Sequence, residues 1–82
     1  MPTVMRIGAL RVVVYPNDHR PAHVHVIGQD HEAVFALNCM LGPVTLRENY
    51  GFSTRDLMRI QAALGENLTA LCRAWENIHG TR

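Results

Sequence analysis

At 82 residues the chain has room for one domain and not for two. A formal net charge of +1 excludes a global field that would draw it onto nucleic acid or a membrane surface, so nucleic acid is a candidate partner only through a local site. Hydrophobic residues make up 48% of the chain, too many for a disordered segment.

Thr3 to Ile7 alternates in side-chain character, Gly8-Ala9 offers a tight turn, and Leu10 to Tyr15 is rich in β-branched residues. Together they predict a hairpin. Pro16 has no N–H to give a ladder and ends the second strand, and Asn17-Asp18 supplies turn chemistry. His23 to Ile27 predicts a third strand, with His23, His25 and Ile27 on one face and Val24 and Val26 on the other. After a turn at residues 28–31, Glu32 to Leu37 predicts a fourth strand. Short strands joined by short turns imply an antiparallel sheet. Apolar residues occupy both phases of these strands, more surface than one small core hides, which points to a partner protein or self-association.

From Asn38 to Gly51 the pattern leaves two alternatives, a short fifth strand at residues 44–46 or a helical turn at Leu46 to Asn49. Beyond it, Ser53 is an N-cap with Asp56 three residues on, and Phe52 and Leu57 have the spacing of a hydrophobic staple. Leu57, Ile60, Leu64, Leu68, Leu71, Trp75 and Ile78 follow at intervals of three and four, one stripe of a helix that Gly80 stops. The stripe keeps its phase across Gly65, which favours one helix over two, with a break at Gly65-Glu66-Asn67 as the alternative. Unbroken, the helix is about 40 Å long at about 1.5 Å per residue, and it overhangs a body about 30 Å across. Its apolar stripe, Leu64, Leu68, Leu71 and Trp75 above all, is then core or a subunit interface.

The expected fold is α+β: one domain, an antiparallel sheet of about four strands in two hairpins over residues 1–37, a connector at 38–52 and an amphipathic helix at 53–79. The two cysteines, Cys39 and Cys72, form no C-x-x-C pair and are expected as reduced core thiols. The start M-P-T-V-M-R-I-G lacks the apolar run of a signal peptide, and no window is long enough to span a membrane. Both features lead to an expected cytoplasmic location.

The densest chemistry lies between Tyr15 and Ile27, with three of the five histidines. His23 and His25 at i, i+2 on a strand point the same way, and His19 or Asp18 on the preceding turn supplies a third metal ligand. Three N/O ligands with an open position suit a zinc-like divalent ion. Glu32 or His31 is a further contributor. Without metal, the histidines, His23 and His25 with His19, act as acid and base, and Arg11, Arg20 and Tyr15, with Asp18, form the binding surface for a phosphate. In a purely structural role, the same side chains fix the loop by hydrogen bonds.

Three stretches, M-P-T-V-M-R-I-G, N-D-H-R-P-A-H-V-H-V and N-Y-G-F-S-T-R-D-L, with a helix ending in A-W-E-N, together resemble the small prokaryotic proteins grouped as domain of unknown function 4160. The resemblance implies a component of a toxin–antitoxin-like module, often encoded beside another small domain. Its signature falls on Asp18, His19, Pro21, His23 and His25, and on Asn49, Tyr50, Gly51 and Phe52. Ala22 departs from it where a second proline is common, and residues 39–42 look like an insertion. Two functions are therefore expected: an interaction protein of a two-component module, binding a partner protein or itself, or a histidine-dependent, metal-assisted phosphodiester hydrolase centred on His23 and His25.

Overall fold

The β-branched runs of the first half pair in the order in which they are made. In the computed structural model, which describes residues 3–80, they form β1 (Thr3–Ile7), β2 (Leu10–Val13), β3 (His23–Ile27), β4 (Glu32–Ala36) and β5 (Thr45–Tyr50). All neighbours are antiparallel and the sheet order is β1-β2-β3-β4-β5. The sheet thus has five strands, one more than expected. Of the two alternatives after Asn38, the strand is realised and it is longer than residues 44–46. Glu32 to Ala36 offers it a full edge, and a register slip opposite Val34 and Phe35 accommodates one extra residue.

The helical stripe is divided into α1 (Thr54–Glu66) and α2 (Leu68–His79), which corrects the favoured single long helix and realises the alternative, a break within Gly65-Glu66-Asn67. The break is one residue. Asn67 leaves helical geometry at φ −118°, ψ 21°, and its side-chain amide donates to the Ala63 carbonyl at 2.9 Å. Asparagine competes for backbone groups in this way, which is why it favours helix ends. The helix starts as predicted, with the Ser53 hydroxyl accepting from the Asp56 N–H at 3.1 Å, and Gly80 closes α2 at φ 84°. The overhang disappears with the break: the molecule measures 35 × 25 × 20 Å.

Both helices cover one face of the sheet. Val12, Val14, Val24, Val26, Ala33, Phe35 and Leu37 on the sheet meet Ile60, Leu64, Leu71 and Trp75 on the helices. Fully burying one such aliphatic or aromatic side chain stabilises by about 1.5–3 kcal/mol. Leu64, Leu71 and Trp75 are at most 2% exposed and Leu68 packs against the same cluster. Of the two expectations for the stripe, core or subunit interface, the structure shows the chain's own core, because the break lets both halves lie on the sheet.

The cysteines are also corrected. Cys39, in the β4–β5 connection, and Cys72, on α2, form a disulfide across 5.9 Å between Cα atoms. Sequence spacing gave no sign of it because the residues are 33 positions apart and meet only when α2 packs back on the connection.

Candidate metal centre

The opposite face of the sheet carries the histidines. Val13 pairs with His25 and His25 with Val34, so the three form one row across β2, β3 and β4. Val13 and Val34 are nonetheless buried. Over the two histidines of this face lies the segment joining β2 to β3, through Tyr15 and Asp18.

The covering segment begins as a turn. The Asp18 N–H donates to the Tyr15 carbonyl at 3.0 Å, and the Tyr15 N–H donates back to Asp18 Oδ2 at 3.2 Å. This reciprocal pair fixes the carboxylate. Oδ2 then lies 3.4 Å from His23 Nε2 and 3.2 Å from His25 Nε2. The three side chains are only 16%, 12% and 15% exposed. The Tyr15 ring meets His25 edge-on at 4.6 Å, and the two imidazoles are 5.3 Å apart between centroids.

The ring nitrogens carry directional information. His23 Nδ1 is 2.8 Å from the Pro21 carbonyl, which only accepts, so Nδ1–H donates and Nε2 of the neutral ring holds a lone pair aimed at Asp18. His25 Nδ1 is buried and makes no hydrogen bond, although Glu32 Oε2 stands 3.4 Å away. Neutral imidazoles therefore leave acceptor facing acceptor at two places, His23 Nε2 against Asp18 and, when His25 Nε2–H donates to Asp18, His25 Nδ1 against Glu32. A divalent cation held by the two Nε2 atoms and Oδ2 would remove both conflicts, with the His25 proton then on Nδ1, on the side of Glu32. Ligands bound at about 2.0–2.1 Å to a tetrahedral ion are about 3.3 Å apart, close to the two separations observed. All three ligand atoms lie within 4.8 Å of one another, and this is the one such group among the described residues.

His19, the other expected ligand, is exposed and lines the adjoining cavity without joining the cluster. It follows Asp18 directly, and the turn that aims Asp18 inward leaves its neighbour outside. Arg20, expected to hold a phosphate, lines the same cavity, pairs with Glu76 of α2 at 3.2 Å and lies 4.9 Å over the Trp75 ring, so it fastens the segment to the helix. Arg11 pairs with Ile27 at the far end of the ladder and does not line the cavity. Tyr15 supports His25 and does not line it either.

Residues 10–76 match the family described as domain of unknown function (DUF4160). The chain belongs to this family. The match contains both the histidine segment and residues 49–52. No curated protein and no solved structure matches the chain. In this DUF4160 chain the second segment is the corner from β5 into α1, where Asn49 Oδ1 accepts the Phe52 N–H at 3.1 Å and its amide donates to the Phe52 carbonyl at 3.0 Å. Gly51 stands there at φ 103°, with no room for a Cβ beside His31. His31 thus belongs to this corner and not to the metal cluster, leaving Glu32 as the contributor from the neighbouring strand. Sequence reasoning missed Arg47 and Glu48, which line the cavity beside the histidines. Without β5 in register, nothing in the sequence set them opposite Val34.

Proposed function

We propose that the chain is a hydrolase built on a mononuclear divalent-metal centre, with Asp18, His23 and His25 as ligands. The observation that carries this reading is the convergence of two imidazole Nε2 atoms on one carboxylate oxygen, Asp18 Oδ2, with His23 Nδ1 turned to the Pro21 carbonyl, so that in the neutral rings a cation among the three atoms meets the needs of the whole group. Each ligand is supported from behind, His23 by the Pro21 carbonyl, His25 by the Tyr15 ring with Glu32 3.4 Å from its Nδ1, and Asp18 by the Tyr15 N–H. Such outer contacts set ring orientation and ligand basicity. Three protein ligands leave a tetrahedral ion one position for water, and the bound ion lowers the pKa of that water to near 7. The test is hydrolysis of chromogenic esters by untagged protein before and after chelation, with zinc restored. Activity lost on chelation, regained with zinc and absent from folded His23→Ala/His25→Ala protein supports the reading. Activity that survives chelation contradicts it.

A second reading keeps the interaction module. Met40 and Leu41 are 53% and 97% exposed and adjacent in the β4–β5 connection, which the disulfide ties to α2. With Leu46 and Tyr50, exposed on the outer strand β5, they are the candidate contacts for a second copy or a small partner protein of a toxin–antitoxin-like, prokaryotic module. Light scattering of Leu41→Asp protein beside the parent tests it. A parent that is monomeric at high concentration and captures no partner contradicts this reading.

A further inference from the structure

The β4–β5 ladder pairs Glu48 with Val34 and Leu46 with Phe35, so Arg47 has no partner of its own. This is a β-bulge, a device that re-aims a side chain. Simple alternation would put Arg47 on the face opposite to Glu48, the core face that Phe35 occupies. The slip instead brings both Arg47 and Glu48 to the histidine side. Both line a cavity of about 330 Å³ that has Val34 in its wall and Asp18, His23 and His25 across from them.

Arg47 forms no ion pair among the described residues, whereas Arg20, the other guanidinium on this cavity, is engaged by Glu76. Glu48 accepts the Tyr50 hydroxyl at 3.2 Å. The wall therefore presents one uncommitted guanidinium and one carboxylate beside the metal ligands. A guanidinium fork matches paired phosphoryl oxygens, and a metal ion neutralises the same group from the other side. Glu48 and Asp18 set a limit on negative charge that a monoanionic diester meets better than a dianionic monoester.

We propose that this cavity takes a phosphodiester, with Arg47 as the residue that binds its non-bridging oxygens; the proposal rests on the metal-centre reading above. In the reaction the water oxygen forms a bond to phosphorus, one P–O ester bond breaks, and the water's proton ends on the departing alcohol oxygen. Arg47 holds the phosphoryl group with its phosphorus facing the ligand cluster.

The test uses zinc-loaded full-length protein, with bis(p-nitrophenyl) phosphate and a single-stranded RNA oligonucleotide as separate substrates, and zinc affinity measured independently by competition with a chromophoric chelator. Arg47→Ala is expected to keep parental zinc affinity and to lose about 100-fold in kcat/KM on the diester, with Arg47→Lys recovering part of the loss. Arg55→Ala, on the exposed side of α1, is the control that leaves both unchanged. Turnover of RNA with the same Arg47 dependence assigns nucleic acid as the source of the diester, and turnover of the small diester alone assigns a small molecule; both support the proposal. A parent that binds zinc but cleaves neither substrate overturns the proposal and leaves the metal centre standing. So does Arg47→Ala protein that turns over the diester as the parent does. A parent that binds no zinc overturns both.

Discussion

His25 illustrates how a single side chain is specified by its surroundings. Its Nε2 bonds to Asp18 at 3.2 Å, while its Nδ1 lies 3.4 Å from Glu32 without a hydrogen bond, so the ring sits between two carboxylates. If Glu32 holds Nδ1–H while Nε2 binds metal, Glu32→Gln weakens zinc binding by about 10–100-fold, the usual cost of losing a partner behind a ligand. A chelator-competition titration measures this, and unchanged affinity removes Glu32 from the site. Tyr50 offers a second test at this scale. Its phenol pKa is raised above the ordinary value of 10.0, chiefly by the charge of Glu48 and then by the hydrogen bond to it, with smaller contributions from burial and Glu32. The protonated phenol is thus favoured in the folded chain, an effect present below pH about 10 and lost as the pH climbs through the folded value. Glu48→Gln is expected to bring the Tyr50 titration down, read as phenolate absorbance against pH.

Among the elements, the helices were the most legible and the fifth strand the least. The cap at Ser53, the stop at Gly80 and the apolar stripe are local patterns, and each is present. The break was legible only as the alternative at Gly65-Glu66-Asn67, because a one-residue interruption at Asn67 leaves the phase of the stripe almost untouched. Gly65 lies in α1 with open space around its Cα, so the interruption belongs to Asn67. Gly65→Ala is accordingly predicted to stabilise the protein by about 0.5–1 kcal/mol through helix propensity alone, as measured by denaturant unfolding. A loss of stability would mean that the break needs the glycine. For the site, His23 and His25 were legible from the two-residue period of β3. That Asp18 joins them and His19 does not follows from the turn at Tyr15 to Asp18, whose direction no periodicity encodes. Arg47 was illegible for a related reason: a bulge inverts the face that alternation assigns.

For the whole molecule, one sheet is covered on one side by two helices, and on the other the segment that carries Asp18 lies over His23 and His25. The first layer makes the core and the second makes the site. The disulfide from Cys39 to Cys72 closes a loop of 33 positions and ties the β4–β5 connection to the helical layer. Chain entropy gives such a link about 3–4 kcal/mol, so reduction or Cys39→Ser/Cys72→Ser is expected to lower the unfolding free energy by that order. Equal denaturation midpoints with and without reductant would contradict it. The exposed Met40 and Leu41 lie in the connection that this link restrains.

The central claim is that Asp18, His23 and His25 are brought together to hold one metal ion. The most direct measurement is the metal content and zinc titration of untagged protein beside a folded Asp18→Asn/His23→Ala/His25→Ala variant. One ion per chain in the parent, with none in the variant, is the predicted result. A parent that takes up no ion, or a variant that binds zinc as the parent does, would contradict it.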